Sequence, residues 1–496
     1  MNTISTVPSP VNEPVLSYAP QTLERQEITK AIAAIKSEKR LLTSIINGEP
    51  VTTGNTLEFC APHNHQQAIA TVDQVGAKEV QLAIDAALAA KAEWAAMAYD
   101  DRAAIFLKAA DLFAGRYRAR INATTMLGQS KTAYQAEIDS ACELIDFLRF
   151  NVNFGQRILA EQPNSVEGVW NRLDHRPLDG FVLAVTPFNF TAIAGNLCTA
   201  PAIMGNTVVW KCAGTQALSA QVIMDVLMEA GLPKGVINLV HARGAVIGEV
   251  ALASKHLSGI HFTGSTKVFQ HLWGEVGANI QDYISYPRLV GETGGKDFIV
   301  AHSSADVPAL ATAIIRGGYE YQGQKCSAAS RVYIPERMWP ELSGILKKEM
   351  AQVKMGSPED FGNFLTAVID RASFDNIRSY IDYAKQSEDA EIFLGGGSDD
   401  SVGYFVEPTL VVTKDPHFKL MEEEIFGPVV TVCLYDYTKY EEILKTCDET
   451  SPYALTGAIF ARDKAAIKTA NEVLRFAAGN FYINDKPTGA VVGQQP

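Results

Sequence analysis

From Phe181 onward the chain alternates short apolar runs with amphipathic stretches, and no other feature limits its fold as much. Phe181–Val185, Asn206–Lys211, Val236–Val240 and Gly259–Phe262 read as buried strands, and Leu218–Glu229 and Val246–Ala253 between them read as helices. Gly231 and Pro233 close the first of these helices: the glycine takes the left-handed terminal position, and the proline cannot continue the helix. Strands separated by helices and short turns pair in parallel through right-handed crossovers, so the fold class is α/β. A second alternating block follows, with strands at Phe298–Ala301 and Ser330–Ile334 and helices at Val307–Tyr321, Trp339–Lys354 and Arg371–Lys385. Ligands of such sheets sit beyond the carboxyl ends of the strands.

Upstream, Ala77–Ala114 reads as two amphipathic helices split near Tyr99-Asp100-Asp101. Tyr134, Ile138, Ala141, Ile145, Leu148 and Val152 mark the apolar face of one long helix. Residues 154–175 are irregular and polar with weak strand character, and the proline-rich first twenty residues read as a disordered or meandering lead-in.

A length of 496 residues implies two or three domains. The net charge of −13 argues against broad nucleic-acid or anionic-membrane binding, which needs a basic face. No apolar run approaches the ~18 residues that span a bilayer. Seven cysteines form no CxxC pair, and the histidines show no HExxH spacing. A disulfide framework and a metal site are therefore not expected, and a reducing compartment is. The cytoplasm is the expected location, with the mitochondrial matrix as the alternative.

Chemistry concentrates in a few segments. Cys326 lies in Tyr321-Gln322-Gly323-Gln324-Lys325-Cys326-Ser327. A buried cysteine is usually an inert small hydrophobe, but the neighbouring Lys325 charge and a nearby helix end are expected to favour the thiolate here. Glu292 stands in Gly291-Glu292-Thr293-Gly294-Gly295-Lys296, read as a glycine-rich turn that lets a carboxylate swing toward a site and activate water; a solvated loop acid is the bland alternative. Asn189, in Thr186-Pro187-Phe188-Asn189-Phe190, follows a buried strand, where it is either an ordinary turn former or an amide donor for an oxyanion. Phe262-Thr263-Gly264-Ser265 ends a strand and opens a helix, a setting suited to a diphosphate, although no GxGxxG fingerprint is present. Lys211 ends a strand and, taken alone, reads as a solvated lysine.

Taken together, in this order, the TPFNF, WK, FTGS, GETGGK, GQKCS and EEIFGP segments resemble the aldehyde dehydrogenase superfamily. Residues 286–298, 323–335, 401–410 and 477–496 resemble its pyrroline-5-carboxylate dehydrogenase branch, which oxidises glutamate γ-semialdehyde to glutamate in proline breakdown. The resemblance implies a Rossmann-like cofactor domain (20–152 and 176–291), an α/β catalytic domain (292–480) and a small bridging β element (153–175 and 481–496). It implies Cys326 as nucleophile, Glu292 as base and Asn189 as oxyanion donor. NAD is the implied cofactor, with NADP as the weaker alternative. Lys211 and Glu424 would hold its riboses, Gly264, Ser265 and Thr266 its diphosphate, Phe426 its nicotinamide side, and Thr186 would line the cleft. Ser327, Gly489 and Ala490 would hold the substrate carboxylate, and Phe190 would pack on its aliphatic part. A homodimer or larger homo-oligomer is implied, with a proline dehydrogenase as a further partner.

Some residues depart from the family pattern. Gly214 stands where many NAD-using relatives carry a ribose-binding acid, Ala490 where some members have serine, and Phe269 where many have a second glycine. The branch continues beyond Pro496 with an aromatic-glycine loop and a tail that joins subunits, so that tail is expected to be absent here. The alternatives to the semialdehyde reading are an enzyme for another acidic semialdehyde and a truncated subunit that binds cofactor without turnover.

Overall fold

A computed structural model describes residues 5–495; Pro496, in the expected bridging element, lies outside them. Two seven-stranded sheets organise the chain. Across the first, the strands run Arg288–Thr293, Leu257–Gly264, Phe181–Val185, Thr207–Lys211, Ile237–Val240, Ser44–Ile46 and Glu49–Val51. The first five pair in parallel, and the hairpin of the last two is joined antiparallel. The central strands are largely apolar because helices cover both faces. Val182, Ala184, Val208 and Trp210 pack on one side, against the helices Tyr99–Ala114 and Glu143–Ala160. Phe181, Leu183 and Val209 pack on the other, against Ala77–Ala96. This is the two-residue alternation of side chains across a pleated strand.

The chain order creates a crevice. From Phe181–Val185 the crossovers step to Thr207–Lys211 and then Ile237–Val240, after which the chain returns to place Leu257–Gly264 on the opposite side of Phe181–Val185. Strand order therefore reverses between the strand that leads into Thr186 and Asn189 and the strand that leads into Ser265, and ligands of open α/β sheets bind at such a reversal.

The second sheet runs Ala390–Leu394, Thr409–Thr413, Val429–Tyr435, Arg331–Pro335, Phe298–Ala301, Thr456–Phe460 and Asn480–Ile483. It is parallel except at the Ala390–Leu394 edge. The first sheet ends at Thr293 and the second begins at Phe298, so Glu292 lies on a strand of the first sheet.

Four expectations are corrected. The long helix is interrupted: Ala133–Ala136 and Glu143–Ala160 flank a π-helical turn, Glu137–Cys142, which buries the carboxylates of Glu137 and Asp139. The lead-in is, over residues 5–20, an extended arm anchored by hydrogen bonds, and its first four residues lie outside the described ones. Glu13 N–H and Asn12 Nδ2 donate to Asp146 at 2.7 and 2.8 Å, and Leu16 N–H and the Tyr18 hydroxyl donate to Glu137 at 2.8 and 2.7 Å. Residues 154–160, read as irregular with weak strand character, continue the helix Glu143–Ala160. Finally, Gly291-Glu292-Thr293 is strand, paired in register with Phe262-Thr263-Gly264, and the turn begins only at Gly294.

Candidate active site

The helix Val307–Tyr319 leads into the segment that carries Cys326. Tyr321, Gln322 and Gly323 are all left-handed, with φ of 51°, 55° and 66°. For a residue with a side chain this conformation costs about 1–2 kcal/mol, and buried hydrogen bonds hold it in place. The Tyr321 hydroxyl donates to Gln129 O at 3.1 Å. Gln322 Nε2 donates to Thr366 Oγ1 and Ala367 O, both at 2.8 Å, and its Oε1 accepts Thr366 N–H at 3.0 Å. Gln324 Oε1 accepts Ile369 N–H at 2.9 Å. A Cβ at Gly323 would run into the Gly427 carbonyl. The nucleophile loop is thus pinned to the 366–369 segment and cannot relax into an ordinary helix end.

The Cys326 side chain is half-buried. Burial pushes its thiol up, and the carboxylates of Glu292, Asp297 and Glu143 push it further. The expectation that Lys325 and a helix end favour the thiolate is overturned. Lys325 Nζ lies 3.3 Å from Asp139 Oδ2 and 3.9 Å from Glu320 Oε2, so its charge is already paired. The helix leading into the loop presents its C-terminal, partially negative end. The resting state is a thiol, and a base must take its proton.

Glu292 has the character of that base. Its Oε1 is buried with no hydrogen-bond partner among the described residues, and burial raises its carboxyl to about 6. Asn189 is buried, and its Nδ2 donates to Gln324 O at 3.1 Å. That bond brings the TPFNF segment onto the nucleophile loop and leaves the second amide hydrogen free.

The residues read for the cofactor gather around the strand-order reversal. Thr186 is buried, and its Oγ1 accepts the Trp210 indole N–H at 3.0 Å, which fixes its place in the wall and leaves the hydroxyl hydrogen to donate. Lys211 is half-buried at its strand end, and burial pushes its ammonium down. Gly264 ends the neighbouring strand, and Ser265 caps the helix Thr266–Ala278 by accepting Val268 N–H at 3.4 Å, which leaves the hydroxyl hydrogen to donate outward. Thr266 Oγ1 donates to Gly294 O at 3.3 Å. Glu424 is exposed and accepts Gly295 N–H at 3.3 Å; a Cβ on Gly294 would overlap its carboxylate. Phe426 is left-handed at φ 56°, and its ring meets Phe188 edge-on at 5.8 Å. A cation, a hydroxyl at a helix N-terminus and a carboxylate around one crevice fit a dinucleotide. The space beside Gly214 is open, as a ribose there requires. Phe269 stacks on Phe262 at 5.5 Å and covers Gly291.

At the other mouth of the loop, Phe190 is buried and Ser327 half-buried, with Ser327 O accepting Thr456 Oγ1 at 3.3 Å. Gly489, at φ 120°, and Ala490 are exposed. Their turn is tied to the loop only indirectly: Lys486 Nζ donates to Thr488 Oγ1 at 2.7 Å and lies 3.9 Å from Glu320, the same carboxylate that faces Lys325.

Lys131, Asp139, Glu143 and Lys296 are charged groups of this region that the sequence reading did not single out. Lys131 Nζ pairs with Asp139 at 2.7 Å and sits over the rings of Phe190 and Tyr321 at 4.2 and 4.3 Å. Glu143 has a buried Oε2 without a partner among the described residues, and burial raises its carboxyl to about 8. Lys296 is fully buried, and its Nζ has no partner among the described residues. For Asp139 and Glu143 the available signal was a charge falling among the apolar positions of a helix. Among the described residues no cluster of three or more His, Cys, Asp or Glu side chains is arranged for a metal. No helix among them is long and apolar enough to cross a membrane.

Residues 50–496 match the sequence profile described as the aldehyde dehydrogenase family. The chain is 50% identical over 494 residues to the mitochondrial delta-1-pyrroline-5-carboxylate dehydrogenase of Dictyostelium discoideum, covering 99% of this chain and 88% of that one. It superimposes with a TM-score of 0.96 and 51% identity on the Mycobacterium tuberculosis delta-pyrroline-5-carboxylate dehydrogenase crystallised with NAD, covering 100% of this chain and 92% of that one. It also matches 51% of the proline utilization A chain of Bdellovibrio bacteriovorus, with a TM-score of 0.89, 28% identity and 99% of this chain covered. The chain belongs to the aldehyde dehydrogenase family.

Proposed function

We propose that the protein oxidises L-glutamate γ-semialdehyde, the open form of pyrroline-5-carboxylate, to L-glutamate with NAD, as a step of proline degradation. The observation that carries this reading is the half-buried Cys326 thiol in the field of Glu292, whose carboxylate has a buried, unpartnered oxygen. Glu292 removes the thiol proton, and the sulfur attacks the aldehyde carbon to form a C–S bond. The second Nδ2 hydrogen of Asn189 and the Cys326 N–H hold the resulting oxyanion. NAD, when bound, accepts the hydride from that carbon, which leaves a thioester on Cys326. Glu292 first passes the thiol proton to solvent, and then takes a proton from water as the water attacks the thioester carbonyl. The C–S bond breaks, the departing thiolate takes up the second proton to restore the thiol, and glutamate leaves as its carboxylate.

Lys211 and Glu424 hold the riboses of the cofactor, Ser265 and the helix N-terminus its diphosphate, and Phe426 flanks the nicotinamide. Ser327 and the N–H groups of the Gly489-Ala490 turn receive the substrate carboxylate, and the Phe190 ring packs on its methylenes. The unpartnered oxygen of Glu143 supports a role in receiving the substrate ammonium, since an incoming cation would compensate a buried carboxylate.

The exposed Val166, Val169, Trp170 and Leu173 support self-association through residues 161–175. The match to part of a proline utilization A chain supports a proline dehydrogenase as the supplier of substrate. Relatives named as mitochondrial support the mitochondrial matrix over the cytoplasm as the place of action. The test is NADH formation with pyrroline-5-carboxylate, compared with aldehydes lacking the carboxylate and ammonium. Turnover of neutral aldehydes alone would overturn the reading.

A further inference from the structure

We propose that Asp139 is a positioning residue for the nucleophile: it holds Lys131 and Lys325 together and so locks the loop that carries Cys326 onto the segment that carries Asn189. The proposal rests on Cys326 being the nucleophile.

Asp139 sits within the π-helical turn, buried to 3% exposure. A single carboxylate oxygen receives both amines, Lys131 Nζ at 2.7 Å and Lys325 Nζ at 3.3 Å. Each amine belongs to a different part of the site. Lys325 immediately precedes Cys326. Lys131 lies over Phe190, which adjoins Asn189, and over Tyr321, the first left-handed residue of the nucleophile loop. Lys325 also approaches Phe190, at 5.8 Å. One carboxylate therefore joins three segments that are remote in sequence. Together they hold both reacting elements, the sulfur and the amide aimed at the oxyanion.

The wider turn explains why this residue can do so. Glu137 and Asp139 are two positions apart, yet Glu137 faces the N-terminal arm, through Tyr18 and Leu16, while Asp139 faces the site. The arm thus anchors the turn from behind. A buried carboxylate between two buried amines also sets the local charge. Lys131, Lys325, Glu143, Glu320 and the more distant Arg316 and Lys486 face this knot, and Glu292, Asp297 and Glu143 act on the sulfur itself. With Asp139 in place the amines are compensated, and the carboxylates dominate the field at Cys326.

Removing that charge has a signature that a purely structural role lacks. Asp139→Asn keeps the shape but leaves the two ammonium groups uncompensated beside the loop. The pH midpoint for iodoacetamide alkylation of Cys326, followed by intact mass without substrate, is expected to fall by about half a unit or more. The kcat is expected to fall about tenfold or more as the loop loses its register, while the Kd for NAD stays within about twofold. Lys325→Met is the second variant, should the first fail to fold. It leaves the Lys131–Asp139 pair intact, lowers kcat in the same way and moves the alkylation midpoint upward, because a cation is lost. A variant that melts earlier but keeps the wild-type alkylation midpoint and kcat overturns the proposal, as does wild-type behaviour of Lys325→Met. Cys326→Ala serves as the control that separates the two readings: turnover in that variant would refute the nucleophile assignment itself.

Discussion

Burial pushes both the Glu292 carboxyl and the Cys326 thiol up, and each shift has a consequence in kinetics. Cys326→Ala abolishes oxidation and leaves NAD binding within about twofold, since no cofactor-facing group is touched. Glu292→Gln removes the base from both thiol activation and thioester hydrolysis. A slowed first appearance of NADH followed by a stall is expected in stopped-flow absorbance, with a thioester adduct visible by intact mass. In the wild type the carboxyl of Glu292 is raised to about 6 by burial. A protonated carboxyl cannot take a proton from water, so the fraction of active base falls as pH drops through about 6. The kcat is expected to fall about tenfold per unit below that point and to level off above it. A kcat–pH profile with no such acid limb would remove Glu292 from the role.

The nucleophile loop works as an element because its backbone is forced. Gly323 combines φ 66° with the close approach of the Gly427 carbonyl. Gly323→Ala meets both penalties, and a stability loss of about 2–4 kcal/mol is expected in urea unfolding, together with loss of turnover in the folded fraction. Elements of this kind were unevenly legible in the sequence. The central strands were read well because burial on both faces leaves them continuously apolar, as in Phe181–Ala184 and Val208–Trp210. The Glu292 segment was read as a turn because its glycines resemble loop chemistry, whereas Gly291 lies in an edge strand beneath the Phe269 ring. The π-helical turn was invisible to periodicity. Its extra residue shifts the helical phase, so Ala141, Ile145, Leu148 and Val152 are buried while Tyr134, read on the same face, is exposed and Ile138 only half-buried. Lys325 misled for a different reason: adjacency in sequence fixes where a backbone is, not where a long side chain carries its charge.

At the scale of the whole molecule, residues 5–22 are part of the folded structure. The Tyr18 hydroxyl donates to Glu137 Oε2 at 2.7 Å and accepts Asn122 Nδ2 at 2.9 Å inside a buried pocket. Tyr18→Phe leaves a buried carboxylate short of one donor, and a loss of about 1–3 kcal/mol is expected, read as a lower urea midpoint with an unchanged slope. The two sheets also divide the chemistry between them. Glu292 belongs to the last strand of the first sheet, and Cys326 follows the helix that crosses between the first two strands of the second. The strand Phe298–Ala301, on which that second sheet is built, is flanked by Arg331–Pro335 on one side and by Thr456–Phe460 on the other. A ribosome must therefore pass Phe460 before sulfur and carboxylate can take up their final places, about 130 residues after it has added the cysteine itself.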